Sequence, residues 1–390
     1  MSDWQGRAQG LADQLTANDQ LHDPKLAAAI TAVPRHALVP HFYRQAPDRS
    51  WTRVDATDPN YYDTVYGNTT LVTALADLGA GIEEPVSSSS QPSLMIRMLE
   101  ALEGAEGMRV LEIGTGTGYN AALLAHQLGE RTVFSVDVDP TLVTLASQRL
   151  AGIGYRPTLA VVDGAAGLPD HGPFHRIIAT CSVPAIPWAW IEQLTDDGVV
   201  LADVKVQNTA GNLVLLRREG PRAVGRFAAR YAAFMPLRHT AHATTPNGAA
   251  IAAAISHQPG ADEALPERDT DALVLPTQQT LPWFLTALRL PVAVTFGYTI
   301  DPERAEPSQV DLYAADGSTS QVTIDHNDSR HRVTETGPTR LWAHVENAHR
   351  QWVEWGQPSW DRLGLTADTT TRTQMIWLDQ PEHPIATLSP

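Results

Sequence analysis

Three glycines at alternate positions interrupt the stretch VLEIGTGTGYNAALLA, which runs from Val110 to Ala125. The apolar residues before them are typical of a buried β-strand, and the alanine- and leucine-rich residues after them are typical of a helix. Glycine allows a backbone to turn tightly and to approach a bound molecule, because it has no Cβ atom. A strand, a glycine turn and a helix in this order predict a ligand site at the carboxyl edge of a parallel sheet.

The same alternation of strand and helix extends from Pro92 to Asp203. Short apolar runs alternate there with stretches whose apolar residues recur every three or four positions. This pattern predicts an α/β domain with a Rossmann-like, doubly wound and mainly parallel sheet that helices cover on both faces. The predicted strands are RVLEIG, RTVFSVDV, TLAVVDG, FHRIIATC and GVVLADV, and the predicted helices are SLMIRMLEAL, YNAALLAHQLG, DPTLVTLASQRLAGIG and PWAWIEQL.

The regions on either side lack this alternation. Residues 7–33 show two short helical periodicities, and the chain from there to residue 81 reads as extended and irregular. After about residue 240 a segment rich in proline, glycine and charge predicts a linker with a strand inside it, followed by the strands PVAVTFGY and QVDLYAADG. We expect an N-terminal helical and extended region (1–80), an α/β domain that carries the glycine turn (81–240) and a C-terminal α+β domain (241–390).

Tryptophan is concentrated in the C-terminal region, which holds six of the ten tryptophans. A helix is predicted within residues 338–356, and its apolar stripe consists of Leu341, Val345, Ala348, Trp352 and Trp355. The usual burial of large aromatic side chains favours a small core. A surface that docks a peptide is the other interpretation, because tryptophan is favoured at such surfaces.

Composition excludes several kinds of partner. The formal net charge is −16 and the chain has no run of lysine or arginine, which argues against nucleic acid and anionic lipid. A single cysteine, Cys181, excludes an internal disulfide framework and a cysteine-based zinc site, and His239 and His242 lack the partners of a metal site. The N-terminus does not read as a signal peptide, and no apolar segment approaches the roughly 20 residues of a membrane span. We expect a cytoplasmic protein.

The spacing of the glycines distinguishes between two ligand classes. Dinucleotides favour Gly-x-Gly-x-x-Gly, but Tyr119 occupies the position of the third glycine, which favours S-adenosylmethionine and argues against a nicotinamide oxidoreductase. Acids at three successive strand ends fit that ligand. Asp137 is placed to accept the ribose hydroxyls, and Asp163, beside Gly164, to receive the adenine amino group. Glu112 is placed to orient either the turn or the ammonium of the methionine moiety.

A series of motifs runs in order from about Leu11 to Leu237. It consists of LADQLTANDQLHDPKLAAAITAVPRHALVPHFY, SSSSQPSLMIRMLEAL, VLEIGTGTGYNAALLA, the DG pair at 163–164, IPWAWIEQL, and FMPL at 234–237. In order and spacing these motifs resemble the protein-L-isoaspartate O-methyltransferases. The resemblance implies the class I S-adenosylmethionine-dependent methyltransferase fold, S-adenosylmethionine as cofactor and a peptide as substrate.

The resemblance also implies roles for individual residues. Ser90 corresponds to the catalytic serine of the acceptor loop. The implied cofactor-binding residues are Glu112, Gly114, Thr115, Gly116, Asp137, Val138, Asp163 and Gly164. The implied substrate-binding residues are Ser88, Ser89, Gln91, Thr180 and Ser182.

Carboxyl methylation suits a site without an obvious His/Asp pair. A carboxylate nucleophile is already ionised at neutral pH, because its pKa lies near 4, so the reaction needs no general base. Catalysis then depends on positioning, which can contribute roughly 7–11 kcal/mol in favourable cases. We expect Ser90 to donate a hydrogen bond that aims one carboxylate oxygen, without the ground-state ion pair that a lysine would form. The alternative interpretation of SSSSQP is a flexible loop in which Ser90 lies near a helix cap.

Three features depart from the usual family pattern. About 150 residues follow the α/β domain, Ser89 stands where the family usually has isoleucine, and ATCSVP replaces an alanine-rich stretch. The SSSSQPS loop and the tryptophan-rich tail resemble longer methyltransferases associated with ribosomally synthesised peptide natural products. That resemblance implies methylation of an L-aspartate side chain in a cyclised precursor peptide, either a lanthipeptide or a graspetide. The ester is then expected to give an aspartimide that can open to isoaspartate.

Two other functions stay open at this point. A repair enzyme would methylate isoaspartyl residues in damaged proteins, and the altered acceptor-pocket residues argue against it. A catalytically silent adaptor would keep the fold and use the C-terminal domain to recruit a partner. The presence of Ser90, Gly116 and Asp137 argues against an adaptor.

Overall fold

A computed structural model describes residues 3–79, 82–207, 209–241 and 265–388 of the protein. Over these ranges the chain forms a central ten-stranded mixed sheet and two smaller antiparallel sheets. The architecture is the α/β fold of class I methyltransferases, as the alternation of strand and helix predicts, with an additional strand-rich C-terminal part.

The N-terminal part combines helices with a small antiparallel sheet. Its elements are α1 (Trp4–Ala17), α2 (Pro24–Ala32), α3 (Arg35–Leu38), β1 (His41–Gln45), β2 (Trp51–Asp55), α4 (Tyr61–Val65), β3 (Leu71–Asp77) and β4 (Glu83–Ser89). The two helices predicted within 7–33 correspond to α1 and α2, where the side chains of Asp3 and Asp23 cap the first turns. The expectation of irregular chain up to residue 81 is wrong, because β1, β2 and β3 form there and pair, with β4 beyond them, in the order β2-β1-β3-β4. These strands are short and largely half-exposed, so they lack the apolar runs that mark a buried strand.

The central part follows the predicted alternation closely. Its elements are α5 (Pro92–Leu102), β5 (Val110–Ile113), α6 (Tyr119–Leu128), β6 (Val133–Asp137), α7 (Pro140–Gly152), β7 (Thr158–Val161), β8 (Phe174–Val183), α8 (Trp188–Glu192), β9 (Leu194–Gln207), β10 (Ala210–Glu219) and β11 (Arg222–Phe227). Strands β5 to β9 are parallel, and β10 and β11 add to β9 in antiparallel fashion.

Strand order in this sheet creates a crevice. From β5 the chain proceeds to β6 and β7 on one side, and β8 then returns to pair with the other side of β5. The connections that leave β5 and β8 therefore diverge, which opens a crevice at the carboxyl ends of these two strands. The glycine turn follows β5 directly, so it lies at this crevice.

The C-terminal part contains its own sheet and also extends the central one. Its elements are β12 (Arg268–Thr270), α9 (Thr280–Ala287), β13 (Val294–Asp301), β14 (Glu306–Ala314), β15 (Thr319–Thr323), β16 (His331–Thr336), α10 (Leu341–Glu354), β17 (Leu363–Asp368), β18 (Thr373–Leu378) and β19 (Pro384–Leu388). Strands β12 to β16 form a separate five-stranded antiparallel sheet, whereas β17 pairs with β11 and is followed by β18 and β19 in the central sheet. PVAVTFGY and QVDLYAADG correspond to β13 and β14, and the predicted C-terminal helix corresponds to α10.

Strands on both sides of the predicted boundary at residue 241 belong to the central sheet. Most of the predicted linker, residues 242–264, lies outside the described residues. A self-contained C-terminal domain over 241–390 stays a prediction, but its last three strands do not form a sheet of their own. Strand β17 satisfies the backbone hydrogen bonds of the β11 edge. Sequence periodicity cannot reveal this pairing, because β11 and β17 are about 140 residues apart.

The aromatic side chains of the C-terminal part form a core with the central sheet. Trp283 and Trp342 have no exposed surface, and Trp360 is 6% exposed. The ring of Trp360 lies 5.1 Å from that of Phe284 and 5.6 Å from that of Phe227 on β11. This packing favours the interpretation of the tryptophans as a core over a peptide-docking surface. No helix in the described parts of the chain is long and apolar enough to span a membrane.

The pairing of β17 with β18 gives a test of this packing. Gly364 lies opposite Trp377, and a Cβ atom at position 364 would lie 2.1 Å from two atoms of the indole ring. We expect Gly364→Ala to lower the free energy of unfolding by about 1–3 kcal/mol, because the ring must leave its place. Gly297→Ala in β13 is the matched control, since no atom lies within 4 Å of its added Cβ. Equal unfolding free energies for the two variants in urea titrations would contradict the packing.

Candidate functional site

A cleft lies over the crevice at the carboxyl ends of β5, β6 and β8. It encloses about 620 Å³ of empty space, its open mouth included. Eight predicted site residues line this cleft, namely Ser88, Ser90, Gly114, Gly116, Asp137, Val138, Gly164 and Thr180. A smaller recess opens beside it and adds Ser89, Glu112 and Thr115, together with Tyr119 and Asn120.

The glycine turn has a backbone that other residues rarely adopt. Gly114, Gly116 and Gly118 have φ angles of +98°, +49° and +85°. The Gly114 N–H donates to the Val136 carbonyl at 2.8 Å, which fixes the turn to the neighbouring strand. A Cβ atom on Gly114 would lie 2.7 Å from the Thr180 hydroxyl oxygen, so the turn has no room for a side chain at this point.

Asp137 ends β6 with both carboxylate oxygens engaged. Oδ2 accepts from the N–H of Gly116 at 3.0 Å, and Oδ1 accepts from the N–H of Asp139 at 3.1 Å. Burial raises the pKa of Asp137, although these backbone hydrogen bonds act in the opposite direction. The carboxylate is therefore held in one orientation on the wall of the cleft, where its remaining lone pairs are available to hydroxyl donors.

Glu112 lies below the turn and is completely buried. Its carboxylate accepts from Asn120 Nδ2 at 2.8 Å and from the Ser135 hydroxyl at 2.5 Å, and Ser135 also contacts the Thr115 hydroxyl at 2.7 Å. Burial raises the pKa of Glu112 to about 7. Of the two roles considered for Glu112, these contacts favour orientation of the turn. Asn120 Oδ1, by contrast, is buried without a hydrogen-bond partner, which leaves an acceptor in the recess for an N–H of a ligand.

Asp163 and Gly164 contribute differently to the cleft. Gly164 lines it, and a Cβ atom there would lie 2.5 Å from Ile113 Cγ2, so glycine is required for the close packing. Asp163 accepts from the Ala165 N–H at 3.0 Å and pairs with His239 Nδ1 at 2.9 Å. Both of its oxygens therefore already have a protein partner beside the cleft.

The four consecutive serines are not a flexible loop for most of their length. Three of them belong to β4, and only Ser90 follows the strand. Ser88 and Ser90 line the cleft, whereas Ser89 is buried and its hydroxyl accepts from Arg35 Nη2 at 3.1 Å. The replacement of isoleucine by Ser89 thus changes a contact behind the cleft wall as well as the polarity of the recess.

Two of the predicted substrate-binding residues do not face the cleft. The Ser182 side chain is buried and donates to the Phe234 carbonyl at 3.3 Å. Strand alternation alone would place Thr180 and Ser182 on one face, but the pairing of β8 with β9 shifts register between Ile178 and Ser182. Gln91 donates from its amide to the Asn68 carbonyl at 3.2 Å. Neither Ser182 nor Gln91 lines the cleft or the recess, and their assignment to substrate binding stays a prediction.

Sequence reasoning did not assign one wall of the cleft. This wall is the segment Met235–Arg238, which follows Phe234 and lines the cleft with four consecutive residues. Asp203 accepts from the Phe234 N–H at 2.8 Å, and Lys205 donates to the Phe234 carbonyl, so the buried Asp203 and the half-buried Lys205, both on β9, hold the residue that precedes this segment. The motif FMPL was the available signal, but a motif match does not state which face of the segment meets the ligand.

The chain matches the family model described as protein-L-isoaspartate(D-aspartate) O-methyltransferase over residues 6–241. This chain belongs to that family. It is 31% identical to the protein-L-isoaspartate O-methyltransferase of Methanococcoides burtonii over 217 residues, which cover 55% of this chain and 92% of the relative. It is 32% identical to protein-L-isoaspartate O-methyltransferase 1 of Archaeoglobus fulgidus over 232 residues, covering 59% of this chain and 90% of the relative.

A solved protein-L-isoaspartate O-methyltransferase shares the fold. It aligns with a TM-score of 0.53 and 22% identity, over 96% of this chain and 100% of its own length. The fold likeness therefore continues past residue 241, where the family match ends. Enzymes of this family are carboxyl methyltransferases that use S-adenosylmethionine.

The residues of the cleft fit this cofactor. The glycine turn leaves room for a ligand beside the backbone, Asp137 presents a fixed carboxylate, and Asn120 Oδ1 is a buried acceptor without a partner. Among the described residues no group of three or more His, Cys, Asp or Glu side chains is arranged to hold a metal ion.

The contact between Gly114 and Thr180 gives a test of the turn. We expect Gly114→Ala to weaken binding of S-adenosylhomocysteine at least tenfold in calorimetric titrations, because the added Cβ must displace the Thr180 hydroxyl and deform the turn. Gly129→Ala is the matched control, since Gly129 also has a positive φ, +91°, but no atom within 4 Å of an added Cβ. Both variants are expected to lose about 1–2 kcal/mol of stability from backbone strain. Equal affinities in the two variants would contradict the assignment of the turn.

The buried carboxyl of Glu112 predicts a pH dependence of stability. The folded protein retains a proton on Glu112 up to a pKa of about 7, whereas the unfolded chain releases it near the ordinary value of 4.5. The free energy of unfolding therefore falls as pH rises between these values, by about 3 kcal/mol for this group. We expect Glu112→Gln to lack this contribution, so that wild type loses stability relative to the variant as pH rises in urea titrations. A difference between the two proteins that is constant from pH 4.5 to pH 7 would show that Glu112 does not titrate in this way.

Proposed function

We propose that this protein is an S-adenosylmethionine-dependent methyltransferase that esterifies the side-chain carboxylate of an aspartate in a cyclised ribosomal precursor peptide. Methyl transfer to a carboxylate is supported by one observation: Ser90 and the glycine turn line the same cleft. An acceptor that hydrogen-bonds to Ser90 is thereby held next to the cofactor residues. S-adenosylmethionine, when bound, supplies an electrophilic methyl carbon.

The chain's own groups have few tasks in this reaction. The Ser90 hydroxyl donates to one oxygen of the acceptor carboxylate and directs the other oxygen towards the methyl group. The segment Met235–Arg238 covers the opposite side of the cleft and limits access of water. Asp137 accepts the ribose hydroxyls, and Asn120 accepts an N–H at the methionine end. No residue has to remove a proton, because the attacking carboxylate is already ionised at neutral pH.

The peptide acceptor is the finer part of the proposal. Support comes from the serine-rich wall, which offers hydroxyl groups at Ser88 and Ser90, and from the resemblance of the loop and tail to methyltransferases of peptide natural products. The extended C-terminal part supports it less strongly, because a solved isoaspartate methyltransferase covers 96% of this chain. After methylation, the nitrogen of the following residue can attack the ester carbonyl. Methanol then leaves and an aspartimide forms, which water can open to isoaspartate.

Repair of isoaspartyl residues is the second candidate, and the names of the relatives favour it. Both candidates use the same cofactor and the same attack by a carboxylate. They differ in the acceptor, since repair requires an isoaspartyl residue in a flexible peptide whereas tailoring requires an ordinary aspartate presented by a peptide ring. The cytoplasmic location expected from the sequence stays a prediction in either case.

Two peptide probes distinguish the candidates. One is a linear peptide with a single isoaspartate, and the other is a lanthionine-bridged or ester-crosslinked peptide with a single aspartate in its ring. We expect mass spectrometry to detect the gain of one methyl group on the cyclic peptide, followed by loss of methanol. Methylation of the linear peptide alone would favour repair, and binding of S-adenosylmethionine without transfer to either peptide would favour a silent adaptor.

Ser90→Ala tests the positioning of the acceptor. A hydrogen bond to a charged group contributes about 1.5–3 kcal/mol, so we expect kcat/KM for the methylated peptide to fall roughly ten- to hundredfold. Affinity for S-adenosylhomocysteine should change less than threefold, because the variant removes a contact to the methyl-accepting carboxylate and none to the cofactor. Ser93→Ala, in the first turn of α5 and absent from the cleft, is the matched control and should retain wild-type turnover. Unchanged kcat/KM in Ser90→Ala would refute this role for Ser90.

A further inference from the structure

Arg35 is a completely buried cation behind the acceptor loop. Its Nη1 donates to the carbonyls of Val65 and Gly67 at 3.0 and 3.2 Å, and its Nη2 donates to the carbonyl of Thr69 at 3.3 Å. All three acceptors lie within residues 65–69, from the last residue of α4 to the chain before β3. One side of the guanidinium is thus bonded to the loop that supports the small N-terminal sheet.

The other contacts of Arg35 reach the serines. Its Nη2 also contacts the Ser90 carbonyl and the Ser89 hydroxyl, both at 3.1 Å, and the Ser89 carbonyl at 3.4 Å. The two carbonyl bonds fix the peptide groups on either side of the Ser90 Cα atom. The backbone position of Ser90, and hence the point from which its hydroxyl reaches the cleft, depends on them.

The charge of Arg35 has no carboxylate partner among the ion pairs of the described residues. Its guanidinium carbon lies 5.3 Å from the centre of the Tyr119 ring at the start of α6, and burial lowers its pKa. Removing a cation from water is costly unless its donors are hydrogen-bonded. Here Nη1 and Nη2 donate to carbonyl oxygens and to the Ser89 hydroxyl, and the Tyr119 ring lies beside the guanidinium, whereas Nε is buried without a hydrogen-bond partner. The arrangement links three parts of the site: the 65–69 loop, the serines and the helix that follows the glycine turn.

We propose that Arg35 is a positioning residue, which holds the backbone of Ser89 and Ser90 against the 65–69 loop so that the Ser90 hydroxyl is aligned for the acceptor carboxylate. This inference rests on the proposed function. Arg35 does not touch the reacting atoms. It acts through the peptide groups that carry Ser90.

The shape of the guanidinium is essential to this role. Arginine presents five N–H donors in a planar arrangement, whereas lysine presents three donors at one point. A lysine at position 35 retains the positive charge and much of the length but cannot reach two chain segments at once. Arg35→Lys therefore keeps the positive charge but removes the hydrogen bonds that join the two chain segments.

Arg176 provides a matched control. It is also buried and donates to carbonyl oxygens, those of Leu102, Glu103 and His175. It lies near the start of β8, at the amino edge of the sheet and away from the cleft. Arg176→Lys thus removes a similar set of hydrogen bonds without touching the acceptor loop.

The experiment compares Arg35→Lys, Arg176→Lys and wild type in the full-length protein. Hydrogen–deuterium exchange is measured on peptides that cover residues 65–71 and 86–93, and affinity is measured with S-adenosylhomocysteine. Turnover is measured on whichever of the two peptide probes the wild type methylates. We expect Arg35→Lys to exchange at least tenfold faster in both segments and to lose ten- to hundredfold in kcat, with cofactor affinity within threefold. Arg176→Lys should lose stability but keep wild-type exchange in these segments and wild-type kcat.

Each outcome decides the role of Arg35. Unchanged exchange in both segments would overturn the proposal, and so would equal losses of kcat in the two variants at equal losses of stability. If Arg35→Lys fails to fold, Arg35→Gln and Arg35→Met take its place in the same measurements. If the wild type methylates neither probe, the proposed function fails, while the exchange measurement still decides whether Arg35 holds the loop.

Discussion

The close approach of the glycine turn to the end of β8 is the constraint on which the rest of the site depends. Gly114 leaves no room for a Cβ atom against Thr180, and its N–H is bonded to the strand on the other side. The turn therefore lies between two strands at the point where the strand order reverses. Every other wall of the cleft is arranged around this fixed backbone, and the buried carboxyl of Glu112 supports it from below through Asn120 and Ser135.

Two walls of the cleft are held by charged side chains. The buried Arg35 bonds to the serine wall through the Ser90 carbonyl and the Ser89 hydroxyl, and Asp203 and Lys205 bond to the peptide groups of Phe234, next to the Met235–Arg238 wall. Hydrogen bonds to charged groups are stronger than those between neutral groups, so they suit segments that lack regular secondary structure. In the proposed function, the geometry of methyl transfer would thus depend on side chains that do not contact the reactants. This is consistent with a reaction that needs alignment more than it needs acid–base chemistry.

The C-terminal part belongs to the architecture of the methyltransferase domain. Strands β17 to β19 continue the central sheet, and Trp360 packs against Phe227 and Phe284 across the junction. These contacts explain the concentration of tryptophan after residue 240 as a core. A role in choosing the acceptor would then fall to surfaces at the cleft, which the serine wall and the Met235–Arg238 segment line.

Local patterns in the sequence determined the central α/β alternation, the glycine turn, the acids at the strand ends and the family, because each depends on neighbouring residues or on short motifs. The tertiary structure decided which side chains reach the cleft. It turned Ser182 and Gln91 away, brought Met235–Arg238 over it and placed Arg35 behind Ser90. It also paired the half-exposed N-terminal strands and joined β17 to β11. These features depend on contacts between residues tens to more than a hundred positions apart, and no periodicity of two or 3.6 residues encodes such contacts.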